Sequence, residues 1–176
     1  MSIDQQEYLI RDAKPDEFLQ IGKLMVQVYS QLEGFPDQKE QPEYYKTLYN
    51  IGSLTKKPKT RLLIAVSATG KIVGGVVYFS DMQYYGSGGI ATQEKNAAGF
   101  RLLAVDPTIR GKGIGKLLTT YCIDRAKEEK QKQLIIHSTV SMQVAWKMYE
   151  NLGFKRSKDL DFKQGELAVF GFRLSL

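Results

Sequence analysis

The stretch from Leu102 to Lys116, LLAVDPTIRGKGIGK, restricts the possible folds more than any other part of the chain. Its first four residues form a short apolar run, which predicts a buried strand. Asp106-Pro107 ends that run, because proline cannot donate to a ladder and restricts the residue before it. A turn with alternate glycines follows, and it leads directly into apolar residues at helical spacing. The stretch therefore predicts a strand, a glycine turn and the start of a helix.

This arrangement predicts a site for phosphate groups. The first amides of a helix have no partner inside the helix, and glycine lets a ligand come close to the backbone. Positive charge flanks the turn at Arg110, Lys112 and Lys116. Two other phosphate motifs do not fit: a P-loop needs Ser or Thr where Leu117 stands, and it needs glycine in place of Arg110. A dinucleotide fingerprint fails because the third glycine, Gly115, comes one position early.

Composition limits the remaining choices. The chain of 176 residues is 43% hydrophobic and 25% charged, which predicts one domain over residues 1–176 with a substantial core. One cysteine excludes an internal disulfide and favours a cytoplasmic location, and neither a signal peptide nor an apolar run of membrane length is visible. The net charge of +6 suits either nucleic acid or a polyanionic cofactor.

Hydrophobic periodicity predicts alternating strands and helices along the chain. Predicted strands are Tyr8–Arg11, Leu62–Ser67, Ile72–Ser80, Ala98–Val105, Leu134–Ile136, Phe154–Arg156 and Leu167–Leu174. Predicted helices run from Phe18 to Tyr29, from Pro42 to Ile51 and from Ile114 to Lys130, and a last helix has Ser141 as its N-cap and ends at Gly153. The apolar face of that last helix is predicted to contain Val144, Ala145, Met148 and Leu152. Gly74-Gly75 predicts a bulge or a close backbone approach, and Gln83–Asn96 a long loop that is functional or mobile.

Two motifs in this order resemble the GNAT (GCN5-related) N-acetyltransferase family. The segment Arg110–Gly115 is similar to the family signature Arg/Gln-x-x-Gly-x-Gly/Ala, and Ala145–Phe154 is similar to A-x-x-x-Y-x-x-x-G-F. The resemblance implies an α/β fold in which a mixed, mostly antiparallel sheet contains a βαβ cofactor unit and carries helices on both faces. The expected element order is βααβββαβαββ. The strand that ends at Val105 and the strand Leu134–Thr139 are expected to part and admit the cofactor.

The resemblance also implies the activity, namely acetyl transfer from acetyl-CoA to a small-molecule or peptide amine by direct attack in a ternary complex. Tyr149 is the implied catalytic acid, since a phenol with a pKa near ~10 can protonate a departing thiolate and is neutral at pH 7. The implied cofactor-binding residues are Leu103, Ala104, Val105, Arg110, Gly111, Lys112, Gly113, Ile114, Gly115, Lys116, Ser141 and Ala145. Met142 departs from the family, which often has a cofactor-contacting asparagine there, and Ser141 or backbone groups would replace that contact.

Several alternatives stay open. The donor could carry a longer acyl group, or the protein could be a non-catalytic CoA sensor. A basic RNA-binding module ranks last, because the cluster Lys56, Lys57, Lys59 and Arg61 lacks interleaved aromatics, and no nucleic-acid, membrane or metal partner is predicted. A homodimer stays open. The single cysteine, Cys122, is expected to be a structural thiol in the middle of a helix.

The general base has two candidates. The predicted central strand contains no acid, so either His137 or water could remove the proton of the amine, and water is expected.

Two further groups of residues have both a functional and a structural interpretation. Glu33, Asp37, Glu40 and Glu43 would suit a cationic amine but are expected to be solvated. Tyr44, Tyr45, Tyr84 and Tyr85 would either line an acceptor pocket or pack.

Overall fold

The computed structural model describes residues 7–176, and its framework is an eight-stranded mixed sheet. In chain order the strands are β1 (Tyr8–Asp12), β2 (Thr60–Ser67), β3 (Ile72–Phe79), β4 (Ala97–Val105), β5 (Gln133–Ser138), β6 (Lys155–Arg156), β7 (Phe162–Gln164) and β8 (Leu167–Ser175). Across the sheet the order is β1-β2-β3-β4-β5-β8-β6, and β7 pairs with β8 beside this path. The pair β4–β5 is parallel and the other pairs are antiparallel.

The helices of the described residues are α1 (Phe18–Ser30), α2 (Pro42–Tyr49), α3 (Ile114–Glu128) and α4 (Gln143–Asn151). Short 3-10 turns occupy Pro15–Glu17, Ile51–Lys56, Met82–Tyr84, Ala91–Gln93, Pro107–Ile109, Val140–Met142 and Lys158–Leu160. The expected order βααβββαβαββ is confirmed, with β7 as an added strand. No helix within residues 7–176 combines the length and the apolar character that a membrane crossing needs.

Both faces of the sheet are covered, because successive strand residues point to opposite sides. On one face Ile64 of β2 packs in a cluster with Ile21 and Met25 of α1 and Leu48 of α2. On the other face the neighbouring Leu63 packs in a second cluster with α3. The α3 residues in that cluster recur at helical spacing (Ile114, Leu118, Cys122 and Ala126). Cys122 is fully buried, as expected of a structural thiol, and burial raises its pKa.

The structure corrects two predictions at the start of α4. Ser141 is not the N-cap, since Val140–Met142 forms a 3-10 turn and Met142 takes the cap position. None of the side chains of residues 7–176 caps the helix. Val144 is 88% exposed and does not belong to the buried face. Gly153 ends the helix as predicted, with a φ of +102° that favours glycine. The predicted loop Gln83–Asn96 contains a 3-10 turn over Ala91–Gln93.

Candidate active site

Strands β4 and β5 pair over only part of their length. Their parallel register runs from Ala97 opposite Gln133 to Gly99 opposite Ile135, and there it stops. On the other side of β4, the register moves from Val77 opposite Arg101 to Gly75 opposite Ala104, so β4 carries one extra residue there. Leu102 has a φ of +61° at this bulge, which bends the strand. The expected parting of the two strands is confirmed.

Glycine is required where β3 faces the bulge. A Cβ on Gly74 would lie 2.9 Å from the carbonyl oxygen of Ala104, and a Cβ on Gly75 would lie 2.7 Å from Cδ1 of Ile21. The predicted close approach at Gly74-Gly75 is therefore confirmed, because neither contact distance is available to a real Cβ. Gly75 lets α1 lie directly on the sheet.

The bend leaves backbone groups of β4 without a strand partner. The Asp106 amide donates to Val73 of β3 at 2.8 Å, and strand alternation then directs the amides of Leu103 and Val105 to the opposite edge, which faces the gap. The carbonyl of Leu103 points to the same edge, where it accepts a hydrogen bond of 3.1 Å from the Tyr29 hydroxyl. The gap therefore contains peptide donors that a continuous sheet would have paired.

A cavity of about 600 Å³ passes through the gap and reaches both faces of the sheet. On one face it is lined by α1 and α2 residues that include Tyr29 and Tyr44. On the other face it is lined by α4 residues that include Ala145 and Tyr149. The cavity therefore connects two regions that the sheet would otherwise separate.

The glycine turn borders this cavity. Gly111 and Gly113 have φ values of +85° and +78°, and a Cβ on either would meet no atom of the described chain, residues 7–176, within 4 Å. Within residues 7–176, no acceptor receives a hydrogen bond from the amides between Arg110 and Lys116. The first intrahelical bond is that of the Leu117 amide to the Gly113 carbonyl, at 2.9 Å. An array of free amides at a helix start, flanked by exposed Arg110 and Lys116, can bind an anion.

Asp106 fixes the geometry of the chain between β4 and the turn. Its carboxylate accepts hydrogen bonds from the amide of Thr108 at 2.9 Å and from its hydroxyl at 2.8 Å, and it lies 3.4 Å from Nζ of Lys71. These contacts hold the pKa of Asp106 below its ordinary value, with the hydrogen bond from the Thr108 amide as the largest cause. From the sequence, Asp106 was predicted only to end the strand.

Tyr149 reaches the cavity from α4. It is buried, and its ring makes edge contacts with Phe100 and Phe154 at centroid distances of 5.9 and 5.7 Å. Burial raises its pKa above the ordinary phenol value. No group among residues 7–176 hydrogen-bonds to its hydroxyl. A protonated hydroxyl with no protein partner can donate its proton to a ligand in the cavity.

A comparison with known protein families gives a match that agrees with this fold, glycine turn and tyrosine. Residues 25–154 match the model of the Acetyltransferase (GNAT) family. The chain belongs to the GNAT acetyltransferase family.

Curated relatives match this GNAT chain over limited stretches. It is 37% identical over 57 residues to N-alpha-acetyltransferase 30 of Saccharomyces cerevisiae, covering 32% of this chain and 32% of that protein. It is 34% identical over 64 residues to N-acetylaspartate synthetase of Danio rerio, covering 36% of this chain and 23% of that protein. The chain thus spans about a third or less of the length of the curated relatives it matches.

Solved structures extend the likeness to the whole fold. A GNAT acetyltransferase from Staphylococcus aureus Mu50 has a TM-score of 0.72 at 18% identity, covering 96% of this chain and 99% of that chain. The protein yncA of Salmonella typhimurium, solved with its cofactor acetyl-CoA, has a TM-score of 0.65 at 15% identity, covering 97% and 94%. At these identities the likeness concerns the fold alone.

Most of the residues that were assigned to the GNAT site lie together. The cavity is lined by Leu103, Val105, Arg110, Gly111, Gly113, Ile114, Gly115, Lys116, Ser141, Ala145 and Tyr149. Two assigned residues are not in the lining: the side chain of Ala104 is buried in the core, and Lys112 is exposed on the turn. Ser141 lines the cavity although it caps no helix, and so does Met142.

His137 also lines the cavity, but both of its ring nitrogens are engaged by the protein. Nδ1 lies 2.9 Å from the Tyr85 hydroxyl and Nε2 lies 2.9 Å from the Leu160 carbonyl oxygen. A carbonyl only accepts, so Nε2 carries the proton and Nδ1 accepts from Tyr85. Burial lowers the pKa of His137 to about 4, against the opposing effect of the Leu160 hydrogen bond. His137 is therefore neutral and oriented near neutral pH.

Of the four acidic residues and four tyrosines with two interpretations, the structure places only one of each in the cavity lining. Of the four acidic residues, Glu33 lines the cavity, while Asp37 and Glu40 cap each other's amides at 3.2 and 2.9 Å. Of the four tyrosines, Tyr44 is a cavity residue, and the other three are outside the lining.

Several polar cavity residues had no predicted role, among them Arg101 of β4, Ser138 at the end of β5, and Thr139 directly after it. The hydroxyls of Ser138 and Thr139 are buried, and among residues 7–176 neither has a hydrogen-bond partner. A buried polar group without a partner is unfavourable, so a ligand that supplied one would be bound more tightly. The only signal in the sequence was the polar run His137-Ser138-Thr139 after an apolar strand.

Proposed function

We propose that this GNAT protein is an acetyl-CoA-dependent N-acetyltransferase that acetylates an amine by direct attack in a ternary complex. One observation carries the proposal: a single cavity connects the free amides of the glycine turn, the unpaired edge of β4 and the Tyr149 hydroxyl. Acetyl-CoA would supply the acetyl group as an activated thioester.

The residues present fit that donor. The amides of residues 110–116, with the positive end of α3 and the charges of Arg110 and Lys116, would hold its pyrophosphate. The amides of Leu103 and Val105 would bind the extended arm as a neighbouring strand does, and would polarise the thioester carbonyl. Ala145 supplies a short side chain beside this path, and the Ser138 and Thr139 hydroxyls supply polar contacts that the sheet leaves unused.

Tyr149 would hold a proton where the sulfur departs. The amine forms the new bond to the carbonyl carbon while the carbon–sulfur bond breaks, and the Tyr149 hydroxyl protonates the thiolate. Its raised pKa keeps the hydroxyl protonated through the pH range of the reaction. Bulk water then restores the proton to Tyr149, and the proton of the attacking amine leaves to solvent.

A screen of amines tests this function directly. Acetyl-CoA is mixed with primary amines, amino acids and peptides that have free N-termini, and thiol release is followed. We expect release with at least one acceptor class and a faster reaction with acetyl-CoA than with butyryl-CoA. If CoA binds in calorimetry but no amine releases thiol, the protein is a sensor. If CoA does not bind, the cofactor assignment is wrong.

The pH profile tests the role of His137. Because its pKa is near 4 and its ring is tied to Tyr85 and Leu160, His137 should not act as the base. We expect kcat/KM to rise steadily from pH 6 toward the ammonium pKa of the acceptor, without an inflection near ~6.5. His137→Gln should give a profile of the same shape. A near-neutral inflection that disappears in the variant would identify His137 as the base.

A further inference from the structure

We propose that Arg101 binds a carboxylate of the acceptor, so that the substrate of this protein is an amine that also carries a carboxylate group. This inference rests on the proposed function and names the substrate class for the same cavity. Four features support it: the sheet face on which Arg101 lies, its unused hydrogen-bond donors, the absence of a counterion among residues 7–176, and the uncharged cavity side chains next to it.

Arg101 lies on the side of the sheet opposite Tyr149. Ala97 of β4 packs in the cluster beneath α1 and α2, whereas Phe100 packs in the cluster beneath α3 and against Tyr149. Alternation along the strand directs Arg101 to the α1–α2 face, where it lines the cavity. The donor is assigned to the α3 and α4 side. The α1–α2 side is therefore where the acceptor would lie, with Arg101 in its wall.

The Arg101 guanidinium is fixed in place but uses few of its donors. One terminal nitrogen donates to the Tyr85 carbonyl at 2.9 Å, and the guanidinium carbon lies 5.6 Å from the centre of the Tyr85 ring. Guanidinium has five N–H donors in a planar fork that matches a carboxylate. The bond to Tyr85 holds the group while leaving the other terminal nitrogen and Nε to bind a ligand.

No carboxylate in the described part of the chain, residues 7–176, forms an ion pair with Arg101. The other arginines that lie deep in the structure have such partners: Arg156 pairs with Asp161 at 2.9 Å, and Arg173 pairs with Glu94 at 2.8 Å. Arg101 is half-buried like them, and a partly buried charge is stabilised by a counterion. An anionic group on the ligand would supply that counterion.

The surroundings of Arg101 favour a negative charge on the ligand. The neighbouring cavity side chains Tyr29, Tyr44 and His137 are uncharged near neutral pH, and Glu33 is exposed. Burial has the largest influence on the pKa values of Tyr44 and His137, and the positive charge of Arg101 lowers both. The cationic lining residues Arg110 and Lys116 belong to the glycine turn. Lys57, whose Nζ donates to the Tyr84 carbonyl, lies behind the Arg101 guanidinium and outside the cavity lining. The positive charge of this region attracts a carboxylate, and it would repel a diamine or a polyamine.

The test uses matched acceptors that differ in one charge. Amino acids with the amine at the α-position or at the end of the chain are each compared with their carboxamides, with acetyl-CoA and thiol release as before. For the wild-type protein we expect kcat/KM for the better acids to exceed that for their amides by ~10- to 100-fold, the usual value of a charge-assisted pair. Arg101→Gln, which can still donate to the Tyr85 carbonyl, should bring this ratio near one. Arg101→Lys should retain part of the preference.

Binding measurements separate the possible outcomes. CoA affinity measured by calorimetry should be the same in Arg101→Gln and the wild type, whereas the free acid acceptor should bind only the wild type. If amides and acids react equally well and Arg101→Gln changes neither, the carboxylate assignment is wrong and the proposed function stands. If no amine reacts although CoA binds, the proposed function fails and the inference fails with it. If Arg101→Gln weakens CoA binding instead, Arg101 belongs to the donor site and the inference is overturned.

Discussion

Replacing Tyr149 by phenylalanine should lower turnover by ~10²-fold or more, the usual contribution of a general acid, with little change in CoA affinity. The substitution removes one oxygen and keeps the ring, whose contacts with Phe100 and Phe154 fix the local packing. Since the hydroxyl has no hydrogen-bond partner among residues 7–176, removing it should also leave the free energy of unfolding nearly unchanged. Steady-state kinetics, calorimetry with CoA and thermal unfolding measure the three quantities.

Tyr121→Phe provides the matched control. Tyr121 is a half-buried tyrosine of α3 that packs in the same cluster as Tyr149 but does not line the cavity. Tyr121→Phe should have the turnover of the wild type. If Tyr149→Phe also has wild-type turnover, another group protonates the thiolate.

Replacing Gly113 by valine should weaken CoA binding by at least ~100-fold. Losing two charge-assisted hydrogen bonds at about 1.5–3 kcal/mol each accounts for a loss of that size. Two effects act together: the Val side chain occupies the space into which the amides point, and a φ of +78° strains any residue with a Cβ, so that the turn shifts. Calorimetry on the folded variant gives the affinity.

Two variants separate these effects. Gly115→Val adds the same side chain inside α3, where the backbone is helical and a Cβ would lie 3.7 Å from Cγ2 of Val105. This variant fills space in the cavity without straining the backbone. Gly70→Val adds a valine side chain to the β2–β3 hairpin, at a φ of +86° and with no atom of residues 7–176 within 4 Å of the new Cβ. This variant strains the backbone in the same way but far from the cavity. We expect reduced CoA affinity in the first and wild-type affinity in the second. Wild-type affinity in folded Gly113→Val would remove the basis for assigning the pyrophosphate to this turn.

The sequence was most informative where the structure depends on residues that are adjacent in the chain. The strand, glycine turn and helix from Leu102 to Lys116 were predicted because proline, glycine and helical spacing act locally. It failed at the start of α4, where Ser141 precedes an apolar series as an N-cap would. In the structure the Met142 amide bonds to the Thr139 carbonyl at 3.0 Å, and the 3-10 turn so formed delays the helix until Gln143.

Contacts between segments that are far apart in the chain could not be predicted from the sequence. No pattern near His137 could show that its two nitrogens are held by Tyr85, from the loop Gln83–Asn96, and by Leu160, from a 3-10 turn after β6. Strand β7 has three residues, too few to display an alternation. Arg101 could be seen as a charge within a strand, but its position in the cavity depends on the bulge at Leu102 and on the early end of the β4–β5 ladder.

The early end of that ladder gives this protein two edge strands in the middle of a sheet. An ordinary edge strand can pair with any passing chain, which is why outer edges carry a risk of aggregation. Beyond Gly99 and Ile135, β4 and β5 are open in the same way toward each other, but further strands lie on their outer sides and helices cover both faces. A second protein strand therefore cannot reach the opening, whereas a slender extended molecule can. The chain keeps the binding capacity of an open edge without exposing it to other proteins.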